Sequence, residues 1–479
     1  MIVDIVTHQR ALDISYVDKE GNIKRKTFTI PQKEMYNWIY AKNPRKADPD
    51  YKSWDNKKVQ KAELRGPKDK LSKWRVQEFL ESLPESETSM LFEFNLPKMF
   101  FVDIEVGVDM AEGFPEPSQA NQPVQTIAIS HADKNICFGT KELTIDQIAN
   151  INKRINAHFQ DNGINDHSTF KYFNLKTERN LMSTFFKFTR EKVALMTGWN
   201  FIDFDWQYLR NRGNKIGINP AETSTIEALT YSHRLPVHKI TVDYMQIYKK
   251  WDRSVSIKES IGLDFTAKAV LGLNKIKYDG SLQDLYDNDF ETYCFYNAVD
   301  SRLVQLIHEK INTIDVYFQL AHVAKIQTND FKPLSPIFTS EAAMGAKFLE
   351  QKKVFPNSWD KKTKEDYEGA FVFPAKAGLY EAVGSFDFKS LYPSTMRQYN
   401  ISPESYVQNI PKGEPNPNPD KYILTASGAL FDKNYDSVFR QLLTGFNDDR
   451  QGAKTIMKNI NQEKDYLKHL LEERKKVDL

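Results

Sequence analysis

The sequence is short of cysteine, of long apolar runs and of net charge. Cys137 and Cys294 are the only two cysteines. They lie far apart and in no metal-ligand spacing, which excludes a disulfide framework and a cysteine-rich zinc site and fits a reducing compartment. No apolar run approaches the roughly 18 residues a membrane span requires. The opening string Met1-Ile-Val-Asp-Ile-Val-Thr-His-Gln-Arg has an early acid and no long apolar core, unlike a signal peptide. A net charge of +2 gives no global attraction to a polyanion, so any nucleic-acid surface must arise from local segregation of charge. There are no internal repeats.

What is present reads as a soluble multidomain protein. A hydrophobic fraction of 40% and a charged fraction of 27% are ordinary for a globular chain. A length of 479 residues exceeds a single core and implies two to four domains. Residues 11–16 and 24–30 alternate apolar and polar around the turn cluster Asp18-Lys-Glu-Gly-Asn22, which predicts a β-hairpin. Residues 32–90 are charged and of mixed periodicity, and read as part of a small α+β domain reaching to about residue 98. From 99 to 312 strands alternate with helices, as in an α/β domain. Residues 313–358 look helical with a proline interruption at 332–336. Residues 379–388 are expected to form a strand, followed by a helical pattern at 389–397 and a proline-punctuated loop at 409–421. The last thirty or so residues place Ile456, Ile460, Leu467, Leu470 and Leu471 near one helical stripe.

The chemistry concentrates on acids. Asp103 and Glu105 stand two apart in Met99-Phe-Phe-Val-Asp-Ile-Glu-Val106, so on a strand both leave the same face. Carboxylates inside so apolar a string are costly to bury without compensation, and hard divalent cations supply it. Such spacings arise by chance among 64 acids, so the pair alone is weak. Asp205 follows an apolar strand in Gly198-Trp-Asn-Phe-Ile-Asp-Phe-Asp205, at the start of a helix; its neighbour Asp203 reads as a helix cap. Tyr296 and Asp300 are four apart and share a helix face.

Taken in order, these three segments resemble the Exo I (D-x-E), Exo II (N-x₂₋₃-F-D) and Exo III (Y-x₃-D) motifs of DEDDy 3′–5′ exonucleases. The strings Gly113-Phe-Pro-Glu-Pro-Ser-Gln-Ala120, Thr197-Gly-Trp-Asn200, Lys277-Tyr-Asp-Gly280 and Ser385-Phe-Asp-Phe-Lys-Ser-Leu-Tyr-Pro-Ser394 resemble the replicative polymerases of T-even-type bacteriophages, which are family B DNA polymerases. The resemblance implies an α/β multidomain architecture. A ribonuclease H-like exonuclease domain with a mixed sheet would occupy 99–312, a small α+β N-terminal domain 1–98 and 313–358, a partial palm 359–437, and the start of a fingers helix 438–479.

It also implies a site for two divalent ions, Mg²⁺ or Mn²⁺, about 4 Å apart. Asp103 would bridge them, Glu105 and Asp300 would complete one, Asp205 would hold the other, and Tyr296 would orient the attacking water. Phe114 and Asn200 would contact DNA, as would Tyr367 and Gly369 of Tyr367-Glu-Gly-Ala370 on the template side. Asp387 resembles the motif A carboxylate for Mg²⁺, with Phe388, Leu391 and Tyr392 around an incoming dNTP. Arg450 and Lys454, four apart, match the arginine–lysine pair that holds its triphosphate. No D-T-D motif C and no motif B occurs, so polymerisation is expected only with a second chain that supplies them. The segment corresponding to the family's strand-separating hairpin, around residues 231–239, is short. The implied partners are primer-template DNA, single-stranded 3′ ends and that second chain, in the cytoplasm of a bacterial host, without a membrane. A self-sufficient exonuclease and a non-enzymatic DNA-binding scaffold are the competing readings.

Overall fold

The computed structural model describes residues 1–8, 10–66, 69–108, 113–231, 234–251, 260–278, 280–325, 336–356 and 372–477. Two compact units emerge: one of residues 1–34 and 79–342, the other of 35–78 and 343–479.

The first unit opens with an antiparallel three-stranded sheet, Ile2–His8, Ala11–Val17 and Ile23–Thr29. Its last two strands are the hairpin expected from the sequence, paired from Ala11↔Thr29 to Val17↔Ile23. The main body is a six-stranded sheet built on β1 (Met99–Val106), β2 (Val124–His131), β3 (Lys134–Gly139), β4 (Thr169–Asn174), β5 (Leu195–Thr197) and β6 (Ile240–Thr241). Its spatial order is β4-β3-β2-β1-β5-β6. β1, β2 and β3 run antiparallel, while β4 lies parallel to β3, and β5 is parallel to both β1 and β6. This is the mixed sheet of a ribonuclease H-like domain.

Helix α1 (Ile145–Gln160), capped by the reciprocal Thr144–Gln147 box, and α2 (Glu178–Lys192) follow β3 and β4. α2 presents Leu181, Met182, Phe185 and Phe186 to the sheet, all fully buried. Each contributes about 1.5–3 kcal/mol of apolar burial. Next come α3 (Gln207–Lys215) and the long α4 (Phe290–Ile311), whose N-cap Asp289 accepts from Thr292 N at 3.0 Å. α4 is buried from Tyr293 to His308 and packs on β1 and β2. A helix buried on every side must partner its polar residues internally, and that requirement shapes the site below.

The second unit contains the antiparallel pair Tyr36–Tyr40 and Val59–Glu63, a three-stranded sheet of Tyr406–Asn409, Tyr422–Leu424 and Ala429–Asp432, and helices α5 (Leu391–Tyr399) and α6 (Val438–Val477). The strand expected at 379–388 is not formed: the segment is irregular, with Leu379 96% and Phe386 98% exposed. Among the described residues no strand pairs with it. An unpaired strand gains no ladder hydrogen bonds, and its alternating apolar side chains have nothing to bury against. The apolar stripe of α6 is likewise exposed, from Ile456 to Leu471. No helix among the described residues is long and apolar enough to cross a membrane.

Candidate active site

β1 carries the first two acids to the middle of the sheet. Its burial alternates after Val102, leaving Asp103 and Glu105 half-open on one face while Ile104 and Val106 enter the core on the other. β5 pairs with β1 only from Met99 to Phe101, so the edge of β1 beyond that point is free of a neighbouring strand. The N–H of Ile104, on that open stretch, donates to Asp205 Oδ1 at 3.1 Å. The carboxylate of Asp205 thus continues the ladder by one bond and is fixed beside the other acids.

The chain between β5 and α3 makes this possible. Gly198 passes so close to β1 that a Cβ there would lie 2.2 Å from Val102 O. Asn200 takes a left-handed conformation (φ 60°), which asparagine tolerates better than most residues. Residues Ile202–Trp206 then form one widened π-type turn, closed by Trp206 N to Phe201 O at 2.7 Å. Single turns of this kind recur at functional sites because they re-aim one side chain. Replacing Gly198 by alanine forces β1 and this turn apart; we expect a loss of about 1–3 kcal/mol, typical of overpacking, read as a lowered midpoint in thermal unfolding. An unchanged midpoint would show that the contact is relaxed in solution.

Asp203 is exposed and does not cap the turn, contrary to the sequence expectation. That task falls to Asp243, whose Oδ2 accepts from Ile202 N at 3.0 Å while Oδ1 accepts from Gln246 N at 3.2 Å. Asp203 is exposed between the half-buried Ile202 and Phe204. Burial pushes the Asp243 carboxyl up to about 6 from 3.8, against the pull of its backbone donors. Its ionisation therefore costs nothing below the unfolded value and the full amount above about 6. In Asp243→Asn the amide oxygen keeps one N–H bond and has no charge to bury. The variant is expected to gain on the parent between pH 4 and 7, over a constant offset for the second bond. Thermal unfolding across that range measures this; parallel profiles would contradict it.

α4 supplies the opposite wall. One oxygen each of Asp103, Glu105 and Asp300 lie within 4.8 Å of one another. Asn297 Nδ2 donates to Asp103 Oδ2 at 2.6 Å and orients it. Burial and the facing Asp300 push Asp103 up to about 7. Burial, then Asp103 and Asp300, pushes Glu105 upward, and burial, then Asp103, does the same to Asp205. Asp300 also rises through burial, opposed by the ammonium of Lys275, which forms an ion pair with its Oδ2. Asp300 Oδ1 is buried with no hydrogen-bond partner. Tyr296 lies one turn before Asp300, with Lys275 Nζ 5.0 Å from its ring centre and Tyr278 edge-on at 5.2 Å. Burial raises the phenol, which stays protonated at neutral pH; the Lys275 ammonium is raised chiefly by Asp300, despite its burial.

Phe114 projects from its loop at 82% exposure, 5.8 Å from the Phe204 ring, and Asn200 is half-buried in the turn before Asp205. Tyr367 and Gly369 lie outside the described residues. In the second unit Asp387, Phe388, Leu391 and Tyr392 are all exposed. Among the described residues Asp387 joins no group of three or more acids, histidines or cysteines close enough to share an ion. Arg450 Nη1 donates to Ser390 Oγ at 3.3 Å, tying α6 to the start of α5, and Lys454 is exposed one turn on. Among the described residues around 231–239 one antiparallel bridge forms, Leu229↔Pro236.

Three site residues escaped the sequence reading. Asp243 carried a usable signal, an acid between an apolar strand and a helix start. Asn297 and Lys275 carried little: one is an amide inside a helical pattern, the other a lysine in a loop that only tertiary structure brings to Asp300.

The family model described as DNA polymerase family B, exonuclease domain, matches residues 58–267, and that described as DNA polymerase family B matches 341–477. The chain belongs to DNA polymerase family B. It is 28% identical to a DNA-directed DNA polymerase of Escherichia phage RB69 over 413 residues, which is 79% of this chain and 44% of the relative. It is 27% identical to the DNA-directed DNA polymerase of Enterobacteria phage T4 over 324 residues, 63% of this chain and 34% of that relative. A DNA polymerase of Archaeoglobus fulgidus is 25% identical over 299 residues, covering 60% and 35% respectively. The chain thus spans less than half the length of each of these family B relatives.

Proposed function

We propose that the first unit is a metal-dependent 3′–5′ exonuclease acting on single-stranded DNA ends, with Asp103, Glu105, Asp205, Tyr296 and Asp300 as its catalytic set. The observation that carries this reading is the convergence of Asp103, Glu105 and Asp300 within 4.8 Å, joined to Asp205 through the backbone of Ile104. Four acids with raised affinity for protons, three of them within reach of one ion, are a poor arrangement for a structural core and a good one for divalent cations. The orphaned Asp300 Oδ1 fits the same use. Asp103, Glu105 and Asp300 would hold one ion, and Asp103 with Asp205 a second; Mg²⁺ and Mn²⁺ both suit an all-carboxylate set. Bound there, the ions supply Lewis-acid activation of water and neutralise charge on the scissile phosphate.

The chain's own residues do the rest. Asn297 holds Asp103 in one orientation. The Tyr296 hydroxyl, which hydrogen-bonds the Asp300 carboxylate, would orient the attacking water. Lys275 favours the charged form of Asp300 against its burial and would supply positive charge beside the phosphate. Phe114, exposed over Phe204, offers a ring on which an unpaired base can stack. Degradation of a labelled single strand from its 3′ end, dependent on Mg²⁺ or Mn²⁺ and abolished by chelation, tests the reading; a metal-dependent attack from the 5′ end would refute it.

For the second unit we propose a partial palm at 359–437 and the start of a fingers helix at 438–479, after, in sequence, the exonuclease domain at 99–312 and the N-terminal parts at 1–98 and 313–358. Asp387 would take Mg²⁺, and Arg450 and Lys454 would take the triphosphate, once a polypeptide with motifs B and C completes the site. The Arg450–Ser390 contact supports this, since it sets the basic helix against the segment bearing Tyr392. Primer extension on addition of such a chain, absent without it, is the corresponding test.

A further inference from the structure

A second basic feature lies at the other end of the α5–α6 pair. The two helices pack together and leave between them a cleft of about 460 Å³ lined by Ser394, Arg397, Gln398, Arg440 and Thr444. Ser394, Arg397 and Gln398 share one face of α5 by their i, i+3, i+4 spacing; Arg440 and Thr444, four apart, share one face of α6. Arg397 and Arg440 are both half-buried. Neither guanidinium forms an ion pair or a hydrogen bond with any described residue, and no acid lines the cleft. Two acids close in sequence to the ends of these helices bond elsewhere. Glu404 accepts from Ser402 Oγ at 2.5 Å and from Val438 N at 2.6 Å, and Asp436 accepts from Gln441 Nε2 at 2.7 Å. Two partly desolvated, like-charged guanidiniums facing one cavity repel each other unless an anion joins them.

The cleft is distinct from the residues assigned to the incoming nucleotide. Arg450, which touches Ser390 at the start of α5, stands ten residues further along α6, a rise of about 15 Å. Two planar forks with hydroxyl and amide donors around them match the tetrahedral oxygens of phosphate better than a planar carboxylate. The first turn of α6, where Arg440 sits, adds the positive end of a long helix to the same wall.

We propose that the α5–α6 cleft is a phosphate-binding site in which Arg397 and Arg440 clamp one phosphate, either of a DNA strand passing over the second unit or of a free polyphosphate. The test uses the full chain in EDTA, so that no cleavage occurs and the carboxylate site plays no part; it stands or falls apart from the exonuclease reading. A fluorescein-labelled single-stranded oligonucleotide is titrated by anisotropy over a range of salt, and sodium tripolyphosphate by calorimetry. If the source is a strand, R397A/R440A weakens oligonucleotide binding about tenfold and lowers the slope of log K against log salt by about 0.7, one phosphate's worth. If the source is a free polyphosphate, tripolyphosphate binding is lost and oligonucleotide binding is unmoved. R397K/R440K, which keeps charge and bulk, retains the salt slope of the parent with weaker affinity for the probe that binds, and serves if the alanine pair unfolds. Parent-like binding of both probes by a folded R397A/R440A overturns the proposal, as does parent-like affinity of the lysine pair for both.

Discussion

Asp103→Ala is expected to reduce metal-dependent hydrolysis of a single-stranded 3′ end by about 10³-fold, equivalent to about 4 kcal/mol of transition-state stabilisation. Asp103 sits at the centre of the cluster, with Glu105 beside it, Asp300 across from it and Asn297 holding its outer oxygen. The folded state should not suffer. The carboxyl is pushed up to about 7 by burial and by Asp300, which means that its charge is a burden on the metal-free protein at neutral pH. Its removal is therefore expected to leave the unfolding midpoint in EDTA equal to or above that of the parent.

The same substitution should abolish the rise in midpoint that Mn²⁺ gives the parent, since a ligand stabilises only as far as it binds the fold. Loss of activity together with loss of metal-linked stabilisation, on an intact fold, is the signature. Retention of either would place the ions elsewhere.

Much of this centre could be read from the sequence because its acids announce themselves by contrast. Asp103 and Glu105 interrupt an apolar strand, Asp205 follows one, and Tyr296 and Asp300 repeat at helical spacing. Local pattern fixes the face each side chain leaves, and the sheet order brings those faces together. What the sequence could not show is how the burial of four acids is made tolerable. Lys275 reaches Asp300 from a loop, Asn297 reaches Asp103 from inside α4, and Ile104 N–H reaches Asp205 because β5 ends at Thr197. Each of these depends on where two remote segments meet.

The failed strand at 379–388 makes the complementary point. Its alternation satisfies the local rule, yet a strand is stabilised by its neighbours, and none of the described residues supplies one. Charge pattern misled in a similar way at Asp203, where a plausible cap lost to Asp243, whose carboxylate accepts from Ile202 N.

The largest stability effect is expected at Asp166, on the other side of α4 from the acids proposed as catalytic. Arg302 Nη2 pairs with Asp166 Oδ1 at 2.6 Å, with side chains only 7% and 1% exposed, and Nη1 donates to Ala132 O at 2.5 Å. Gln305 reaches the same carbonyl at 2.9 Å and accepts from Ser130 Oγ at 2.6 Å. These bonds pin α4 to the β2–β3 turn two residues beyond Asp300. Asp166→Ala leaves the buried Arg302 guanidinium without its counter-charge. We expect a cost of about 3–5 kcal/mol, seen as a fall of about 10 °C in the unfolding midpoint of the first unit.

Arg302→Met should cost less, because Asp166 Oδ2 keeps its hydrogen bond from Ser168 Oγ at 2.7 Å. The pair replaced together, Asp166→Leu with Arg302→Met, should recover most of the loss, since exchanging both charges for apolar bulk removes the desolvation cost along with the attraction. If the double variant is as unstable as Asp166→Ala, the network holds α4 through shape and hydrogen bonds rather than charge. In that case Ser130 and Gln305, not the ion pair, set the position of Asp300 over β1.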